Sequence, residues 1–283
     1  MNIPRAYGSY EELLADPAID AVYNPLPNHL HVPWTIKALE AGKHVLCEKP
    51  IGLDAREAEA LVDARERSGK QVLEAFMVRY HPQWLRARAL VQAGRIGEAR
   101  VVQVVAAYFN VDPMNVRNRV DTGGGALYDI GCYAIAAARF MFAAEPRRAV
   151  SLIDRDPEMQ IDRLTSGLVE FPAGRQLVFV CSTQAVRYQR LHIFGTTGRI
   201  EIEIPVNAPA GETTRIWLEQ GNSGVAEAIE FAPCDQYTLQ GDEAARVFLG
   251  EIPAPYPMED GVRNMRVVDA LFRSAENAAW EAV

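Results

Sequence analysis

Lys49 is the residue whose type and position most clearly indicate chemistry. It follows a β-type segment, Lys43-His-Val-Leu-Cys47, and stands between Glu48 and Pro50. Because proline restricts the adjoining backbone, we expect the lysine at a fixed turn rather than on a mobile loop. A lysine that is desolvated in a cleft can exchange a proton near neutral pH. The competing interpretation is a strand-ending lysine in an ion pair with Glu48, and position alone favours that interpretation.

A second candidate is the segment Gly123-Gly-Gly-Ala-Leu-Tyr-Asp-Ile-Gly-Cys-Tyr133. Its three successive glycines permit a close approach of the backbone to a ligand. Asp129 and Tyr133 share one face of the helix that follows, where they can hold a sugar hydroxyl or polarise a carbonyl group. Gly131 costs about 1 kcal/mol relative to alanine in a helix, which indicates tight packing there. The alternative is an aspartate that complements the helix dipole and a tyrosine in the core.

The histidines and cysteines carry weaker signals. His29 and His31 follow the turn that begins at Pro25, but no third ligand has metal-site spacing, so we expect no metal. Arg79 and His81 end a strand and are interpreted as an interdomain salt bridge or a helix cap. The cysteines lie far apart without a CxxC pair, which excludes a zinc ribbon and a disulfide scaffold; they are Cys47, Cys132, Cys181 and Cys234.

The hydrophobic pattern predicts two different frameworks for these residues. Up to about residue 80, short strands alternate with amphipathic helices, which predicts a parallel, doubly wound sheet. Lys49 and the segment 25–31 then fall at the carboxyl edge of that sheet, where open α/β sheets bind ligands. From Arg147 to Phe231 strand follows strand through short turns, which predicts antiparallel pairing. The boundary is expected near residues 80–95, giving an α/β plus α+β protein.

Composition excludes several classes of function. The chain has 283 residues with 29 Lys plus Arg against 37 Asp plus Glu, a net charge of −8. This balance argues against a nucleic-acid partner or an anionic membrane surface. The apolar runs are far shorter than the ~20 residues of a membrane helix. Residues 1–10 do not resemble a signal peptide, and we expect a cytoplasmic protein.

Several segments carry a family resemblance through essentially the whole chain. They are Tyr10–Pro17, Ala21-Val-Tyr-Asn-Pro-Leu-Pro-Asn-His-Leu-His31, Ala41-Gly-Lys-His-Val-Leu-Cys-Glu-Lys-Pro50, Glu74-Ala-Phe-Met-Val-Arg-Tyr-His-Pro-Gln83, Gly123–Tyr133, Phe194–Gly198 and Pro257–Met265. In this order they resemble the glucose–fructose oxidoreductase, inositol dehydrogenase and rhizopine catabolism family (Gfo/Idh/MocA). The members that oxidise aldoses or trans-dihydrodiols look most similar, because they share the Glu-Ala-Phe-Met-x-Arg segment.

The resemblance implies an NAD(P)-dependent oxidoreductase that moves a hydride between nicotinamide and a hydroxyl or carbonyl carbon of a sugar, polyol or dihydrodiol. Lys49 would bind the reacting hydroxyl and take part in proton transfer. Asp129 and Tyr133 would form the acid/base pair on the substrate side, although many members carry His where this chain has Tyr133. Glu48 would contact the nicotinamide ribose, and Arg79 would lie at the floor of the cofactor cleft. The whole expected cofactor set is Pro25, Leu26, Asn28, His31, Glu48, Lys49 and Arg79.

One departure from the family pattern concerns the cofactor. Family members begin with a strand and a Gly-x-Gly-x-x-Gly turn, and this sequence contains no such motif. The lacking unit would be roughly 50 residues, since one βαβ unit takes ~30 or more. We therefore expect an N-terminally truncated member in which NAD or NADP binding is impaired. The predicted fold is an incomplete Rossmann-like parallel sheet in residues 1–80, followed by a large, mostly antiparallel, open-faced sheet domain in residues 81–283.

Three hypotheses stay open on the sequence alone. The first is a sugar or dihydrodiol oxidoreductase, supported by the joint presence of Lys49, Asp129 and Tyr133. The second is a non-catalytic member that binds a polyol or supports oligomerisation. The third is a lyase that uses Lys49 to form a Schiff base, which needs no dinucleotide and has no support from the family. Family members commonly form dimers or tetramers, so a homodimer or homotetramer through the C-terminal sheet is expected.

Overall fold

The N-terminal part of the chain is built on a small parallel sheet. The computed structural model describes residues 3–283. Its first elements are α1 (Tyr10–Ala15), β1 (Ala21–Asn24), α2 (His31–Glu40), β2 (His44–Glu48), α3 (Ala55–Ser68), β3 (Val72–Ala75) and α4 (Pro82–Gln92). The strands pair in parallel in the order β1-β2-β3, which leaves β1 at an edge.

Local sequence signals account for these elements. Ser9 caps α1 by accepting from the Glu12 amide, and Asp54 caps α3 in the same way by accepting from the Glu57 amide. The residues of α3 that lie at helical spacing on one side are buried, and their burial holds the helix against the sheet; they are Ala55, Ala58, Leu61 and Ala64. Strand β2 begins and ends one residue after the segment Lys43–Cys47 that predicts it, which is the usual uncertainty at element ends.

The C-terminal part is built on one nine-stranded sheet. Its elements are β4 (Ala99–Phe109), α5 (Cys132–Phe142), β5 (Arg148–Arg155), β6 (Asp162–Glu170), β7 (Gln176–Ser182), β8 (Gln184–Gly195), β9 (Gly198–Ile202), β10 (Thr214–Gln220), β11 (Ala226–Phe231), α6 (Gln236–Phe248), α7 (Met258–Asn277) and β12 (Glu281–Ala282). The strand order is β11-β10-β9-β8-β4-β7-β6-β5-β12. All pairs are antiparallel except β4 with β7, which is parallel. The predicted fold class is confirmed.

The two faces of the large sheet differ in what covers them. Helices α5 and α7 pack on one face, where alternate residues such as Leu177 and Phe179 of β7 are almost fully buried. The opposite face carries Leu152, which is 76% exposed, and Val178, which is 37% exposed. An antiparallel sheet with one open face is a stable arrangement.

Helix α7 joins the two parts of the molecule. It packs against α3 and β3 of the first part and against α5 and β5 of the second. Arg65 of α3 forms a bidentate ion pair with Glu259, with N···O distances of 2.7 and 2.9 Å. The Asp269 carboxylate accepts from the Ala55 amide at 2.9 Å. The helix thereby fixes the position of one sheet relative to the other.

Candidate functional site

A cavity of about 560 Å³ opens where the carboxyl edge of the parallel sheet meets the large sheet. Among the residues expected from the sequence, those that line it are Pro25, Leu26, Asn28, His31, Glu48, Lys49, Asp129 and Tyr133. Residues that the sequence did not single out complete the wall, and they include Tyr108, Arg117, Arg187, Tyr188 and Tyr237. The structure therefore brings the three predicted catalytic side chains to one cavity.

Lys49 and Asp129 form an ion pair at the bottom of this cavity. The Lys49 Nζ donates to the Asp129 Oδ1 at 3.1 Å and to the Asp129 backbone carbonyl at 2.6 Å. The two side chains are only 11% and 15% exposed. The partner of the lysine is therefore Asp129, not the neighbouring Glu48 that position alone would favour.

The backbone around Asp129 is a π-helical turn, Leu127–Gly131, that leads into α5. The sequence predicts an ordinary helix from Gly123 onward, and the structure corrects that prediction. A π-type turn is wider than an α-turn and is frequent at functional sites, because it shifts the hydrogen bonds of the local carbonyl groups. Here the carbonyl of Asp129 meets the Lys49 ammonium, so one residue offers the lysine both its backbone and its side chain.

Two residues that sequence analysis missed hold the other side of Asp129. The Tyr108 hydroxyl donates to the Asp129 Oδ2 at 2.7 Å, and the Arg117 Nε donates to the Oδ1 at 3.1 Å. Tyr108 lies near the end of β4, and Arg117 lies in the polar loop that follows. The carboxylate thus accepts from three different side chains and has a fixed orientation.

The pKa values in this cluster follow from burial and pairing. Burial opposes the charge of Asp129, but Lys49 and Arg117 outweigh it and lower the pKa of this carboxyl to about 2. Burial likewise opposes the Lys49 ammonium, yet the attraction of Asp129 leaves the pKa of Lys49 raised. Burial and the nearby Asp129 charge raise the pKa of Tyr108. At neutral pH the lysine is an ammonium, the aspartate a carboxylate and the tyrosine a neutral phenol.

Tyr133 contributes the face of its ring to the same cluster. The Lys49 Nζ lies 4.8 Å from the ring centroid, within the range of a cation–π contact. The Tyr133 hydroxyl donates to the Met77 sulfur at 3.3 Å, in a buried position. Burial raises the pKa of this phenol. Its part as a proton carrier stays a prediction.

The expected cofactor residues other than Arg79 line part of the cavity wall. Glu48 accepts hydrogen bonds from the Tyr23 hydroxyl and, at 3.3 Å, from the Lys49 amide. The His31 ring nitrogens lie 2.7 Å from the Pro50 carbonyl oxygen and 2.6 Å from the Leu26 carbonyl oxygen. A neutral imidazole donates to one of these at a time, and burial lowers the pKa of His31. His31 therefore holds the two loops of this wall together.

Arg79 does not reach the cavity, which corrects the expectation that it lies at the floor of the cofactor cleft. Its side chain is 3% exposed and forms an ion pair with Asp260 of α7 at 2.6 Å. It also lies over the rings of Phe76 and Tyr256 at 4.8 and 4.7 Å from their centroids. Arg79 joins strand β3 to helix α7, as the salt-bridge interpretation predicts.

Two glycines of the segment 123–131 are needed for packing within the protein. Gly125 has φ +122, and a Cβ there would lie 1.8 Å from the Asp162 Oδ1. At Gly131 a Cβ would lie 2.6 Å from the Leu127 Cδ1. The tight packing expected at Gly131 is confirmed. Gly125 allows the backbone to lie close to the Asp162 side chain rather than to a ligand.

Within residues 3–283, no group of three or more His, Cys, Asp or Glu side chains could hold a metal ion. None of the helices described in this range is long and apolar enough to cross a membrane.

Comparisons with known proteins match both parts of the chain. Residues 1–76 match the family model "Oxidoreductase family, NAD-binding Rossmann fold", and residues 84–201 match the "GFO/IDH/MocA C-terminal domain". An uncharacterized oxidoreductase of Rhizobium meliloti is 48% identical over 100% of this chain and 85% of its own length. The D-xylose 1-dehydrogenase (NADP(+)) 2 of Haloferax volcanii is 37% identical over 99% of this chain and 85% of its own.

The chain belongs to the Gfo/Idh/MocA oxidoreductase family. Trans-1,2-dihydrobenzene-1,2-diol dehydrogenase of Mus musculus, another relative, is 33% identical over 71% of this chain and 60% of its own length. Among solved structures, a 3-ketoreductase from Actinomadura kijaniata in complex with NADP and TDP-benzene has a TM-score of 0.88 at 28% identity, covering 94% of this chain and 81% of that one. The predicted family is thus confirmed, and the chain is an NAD(P)-dependent oxidoreductase by membership.

The residues of this Gfo/Idh/MocA member fit the nicotinamide half of a dinucleotide. The cavity combines apolar walls at Pro25 and Leu26 with the Glu48 carboxylate and the Lys49 ammonium. A carboxylate beside an apolar wall can accept hydrogen bonds from ribose hydroxyls. The sequence holds no Gly-x-Gly-x-x-Gly motif.

Proposed function

We propose that the chain catalyses hydride transfer between a nicotinamide cofactor and a hydroxyl or carbonyl carbon of a sugar, polyol or dihydrodiol. The observation that carries the proposal is the buried Lys49–Asp129 pair, which opens onto a cavity between the two sheets. The relatives that act on D-xylose and on a dihydrodiol support this class of substrate. The nicotinamide, when bound, supplies or accepts the hydride.

Lys49 is proposed to hold the reacting oxygen of the substrate. Since its raised pKa keeps it charged at neutral pH, it donates a hydrogen bond and stabilises negative charge that develops on that oxygen. In the reducing direction the same ammonium can give a proton to the product alkoxide. Asp129 keeps the Lys49 ammonium charged and fixes its orientation, and the hydrogen bonds from Tyr108 and Arg117 hold Asp129 in place.

In the oxidising direction another group must receive the hydroxyl proton, because a charged Lys49 has no free acceptor. We assign this relay to Tyr133, as the family resemblance implies. Its ring lies against the ammonium, and its hydroxyl donates to the Met77 sulfur. For the relay, the hydroxyl leaves the sulfur, accepts the proton of the substrate hydroxyl and gives its own proton to solvent in the cavity. Tyr108, whose hydroxyl already bonds to Asp129, is the second candidate for this role.

The test compares three variants for NAD(P)-linked turnover of aldoses and dihydrodiols. Lys49→Met should abolish turnover and leave sugar binding largely intact. Tyr133→Phe should cost less, about 10²–10⁴-fold, the range of a positioned proton transfer. If Lys49→Met turns over at the wild-type rate, the proposal is wrong. If Tyr108→Phe loses more than Tyr133→Phe, the relay passes through Tyr108.

The alternatives differ in what they bind. A non-catalytic polyol-binding member would bind sugar without turnover in the presence of either nicotinamide cofactor. If the protein is a Schiff-base lyase, borohydride would trap a carbonyl substrate on Lys49.

We also expect weak NAD(P) binding. The sequence lacks the Gly-x-Gly-x-x-Gly turn that would donate to the pyrophosphate, and each charge-assisted hydrogen bond contributes roughly 1.5–3 kcal/mol. Calorimetry that gives micromolar affinity for either cofactor contradicts this expectation.

The open face of the large sheet is proposed as a contact between copies of the chain. Leu152 on β5 and Val178 on β7 lie on this face. Val178 pairs across strands with Leu168, which pairs with Val150, and Val180 lies two residues beyond Val178 on the same face of β7. Exposed apolar residues paired across adjacent strands form a patch that association would bury. Light scattering should give a dimer or tetramer, and the double variant Leu152→Glu and Val178→Glu should give monomers. A wild-type monomer at working concentration contradicts the proposal.

A further inference from the structure

Glu74 is a buried carboxylate that touches the turn of Lys49 from the neighbouring strand. It lies on β3, paired in register with Cys47 of β2, and only 8% of the residue is exposed. Its Oε1 accepts from the Ile51 amide at 3.0 Å. Ile51 follows Lys49 by two residues and is fully buried. The carboxylate therefore fixes the backbone just beyond the lysine.

A second contact holds the same turn from the other side. The Pro50 carbonyl oxygen lies 2.7 Å from the His31 Nδ1. The backbone that follows Lys49 is thus held by hydrogen bonds at two successive residues. His31 of α2 bonds to Pro50, and Glu74 of β3 bonds to Ile51. Of these two groups only Glu74 stands outside the cavity, since it is absent from the residues that line it.

We propose that Glu74 is a positioning residue for Lys49, acting through the Ile51 amide, in the hydride transfer proposed above. A carboxylate that accepts from a backbone amide makes a stronger hydrogen bond than a neutral acceptor does. Loss of this bond frees the turn, and the Lys49 ammonium then loses its fixed distance to Asp129. Misplacement of a catalytic group by about 1 Å can cost about 10²-fold in rate.

The charge of Glu74 is set by a network of buried ions. Arg79 of the turn after β3 and Arg139 of α5 both pair with Asp260 of α7, at 2.6 and 2.7 Å. Burial raises the pKa of Glu74 to about 7, and Asp260 adds to the rise, while Arg79, the Ile51 amide and Arg139 oppose it. The Oε2 has no hydrogen-bond partner among residues 3–283. Protonation near neutral pH would therefore weaken the bond to Ile51.

Two substitutions and one matched control test the proposal on the full chain. Glu74→Gln keeps an acceptor oxygen in a side chain of the same shape that cannot titrate, and Glu74→Ala removes the acceptor. Asp269→Asn is the control, because Asp269 also accepts from a backbone amide, that of Ala55 at the start of α3, which lies outside the turn of residues 49–51. The rate is measured as kcat and KM from pH 5.5 to pH 9, and folding is checked by near-ultraviolet circular dichroism.

We expect Glu74→Ala to lose about 10²-fold in kcat with little change in KM, the signature of a misplaced catalytic group. Glu74→Gln should keep kcat within about tenfold and should lack the decrease of the wild-type rate as pH falls through about 7. Asp269→Asn should keep the wild-type kcat and pH profile. A folded Glu74→Ala enzyme with the wild-type kcat, or a pH limb that persists in Glu74→Gln, overturns the proposal.

A second readout does not depend on turnover. Acylation of Lys49 by an amine-reactive reagent, followed by mass spectrometry, reports how firmly the ammonium is paired. Labelling should be faster in Glu74→Ala than in the wild type and unchanged in Asp269→Asn. If no substrate is turned over, the proposed function fails while this measurement still decides the role of Glu74. Equal labelling in all three proteins shows that Glu74 does not position Lys49.

Discussion

Asp129→Asn tests the electrostatic description of the site most directly. The substitution keeps the shape and one acceptor oxygen but removes the charge that Lys49, Arg117 and Tyr108 face. The folded pKa of about 2, against 3.8 for a free carboxyl, corresponds to about 2 kcal/mol of stability at neutral pH. Both members of the Lys49–Asp129 pair are less than one-sixth exposed, so solvent screens little of this energy.

The lowered pKa of Asp129 determines how its contribution to stability changes with pH. Because the folded pKa of Asp129 is lowered, its contribution is complete above about pH 4 and is lost as the pH falls through about 2. Urea unfolding should therefore show Asp129→Asn less stable than the wild type by about 2 kcal/mol at pH 7 and by about 1 kcal/mol at pH 3. Asp121→Asn, which removes an exposed carboxylate paired with Arg119, is the control and should change little.

Two results would refute this reasoning. Equal stability of Asp129→Asn and the wild type at pH 7 would mean that the carboxylate gains nothing from its partners. A difference that stays constant from pH 7 to pH 3 would mean that the loss arises from packing and not from charge. Breaking a buried pair by removing one partner typically costs about 3–5 kcal/mol, which sets the upper bound for the change at pH 7.

Three further outcomes are expected. Tyr108→Phe removes a hydrogen bond to the Asp129 carboxylate and should destabilise the protein by about 1.5 kcal/mol in urea unfolding at pH 7. The raised pKa of Glu74 favours the protonated folded state, so its contribution to wild-type stability should fall by up to about 3 kcal/mol between pH 4.5 and pH 7, and Glu74→Gln should lack that fall. Gly131→Ala forces a methyl group against Leu127 and should cost about 1–3 kcal/mol in thermal unfolding.

Lys49 and Asp129 could be singled out from the sequence because each carries a local signal, although their pairing could not. Lys49 ends a strand before a proline, and Asp129 stands in a glycine-rich helix start. Tyr108 and Arg117 gave no such signal. Tyr108 belongs to a strand whose apolar alternation makes a tyrosine ordinary, and Arg117 lies in a polar loop. Their contacts with Asp129 depend on how a strand, a loop and a π-turn meet, which no local pattern encodes.

The strand order of the large sheet could not be predicted from the sequence, for a related reason. Neighbouring strands along the chain pair in most of this sheet, as short turns predict. Strand β4, however, lies between β7 and β8, which follow it by more than 60 residues, and its pairing with β7 is parallel. Periodicity reports which face of a strand is buried, but it carries no information on a partner so distant in sequence.

The bridging position of α7 has a consequence for synthesis on the ribosome. Helix α3 and strand β3 are complete by residue 75, whereas the helix that covers them starts at Met258. At about 5–20 residues per second, roughly 10–40 s separate the two events. During that interval the flank of α3 that later meets α7 stays uncovered on the nascent chain. Synthesis that stops before Met258 should therefore release a product whose first layer lacks its cover, which makes such products natural clients of chaperones and proteases.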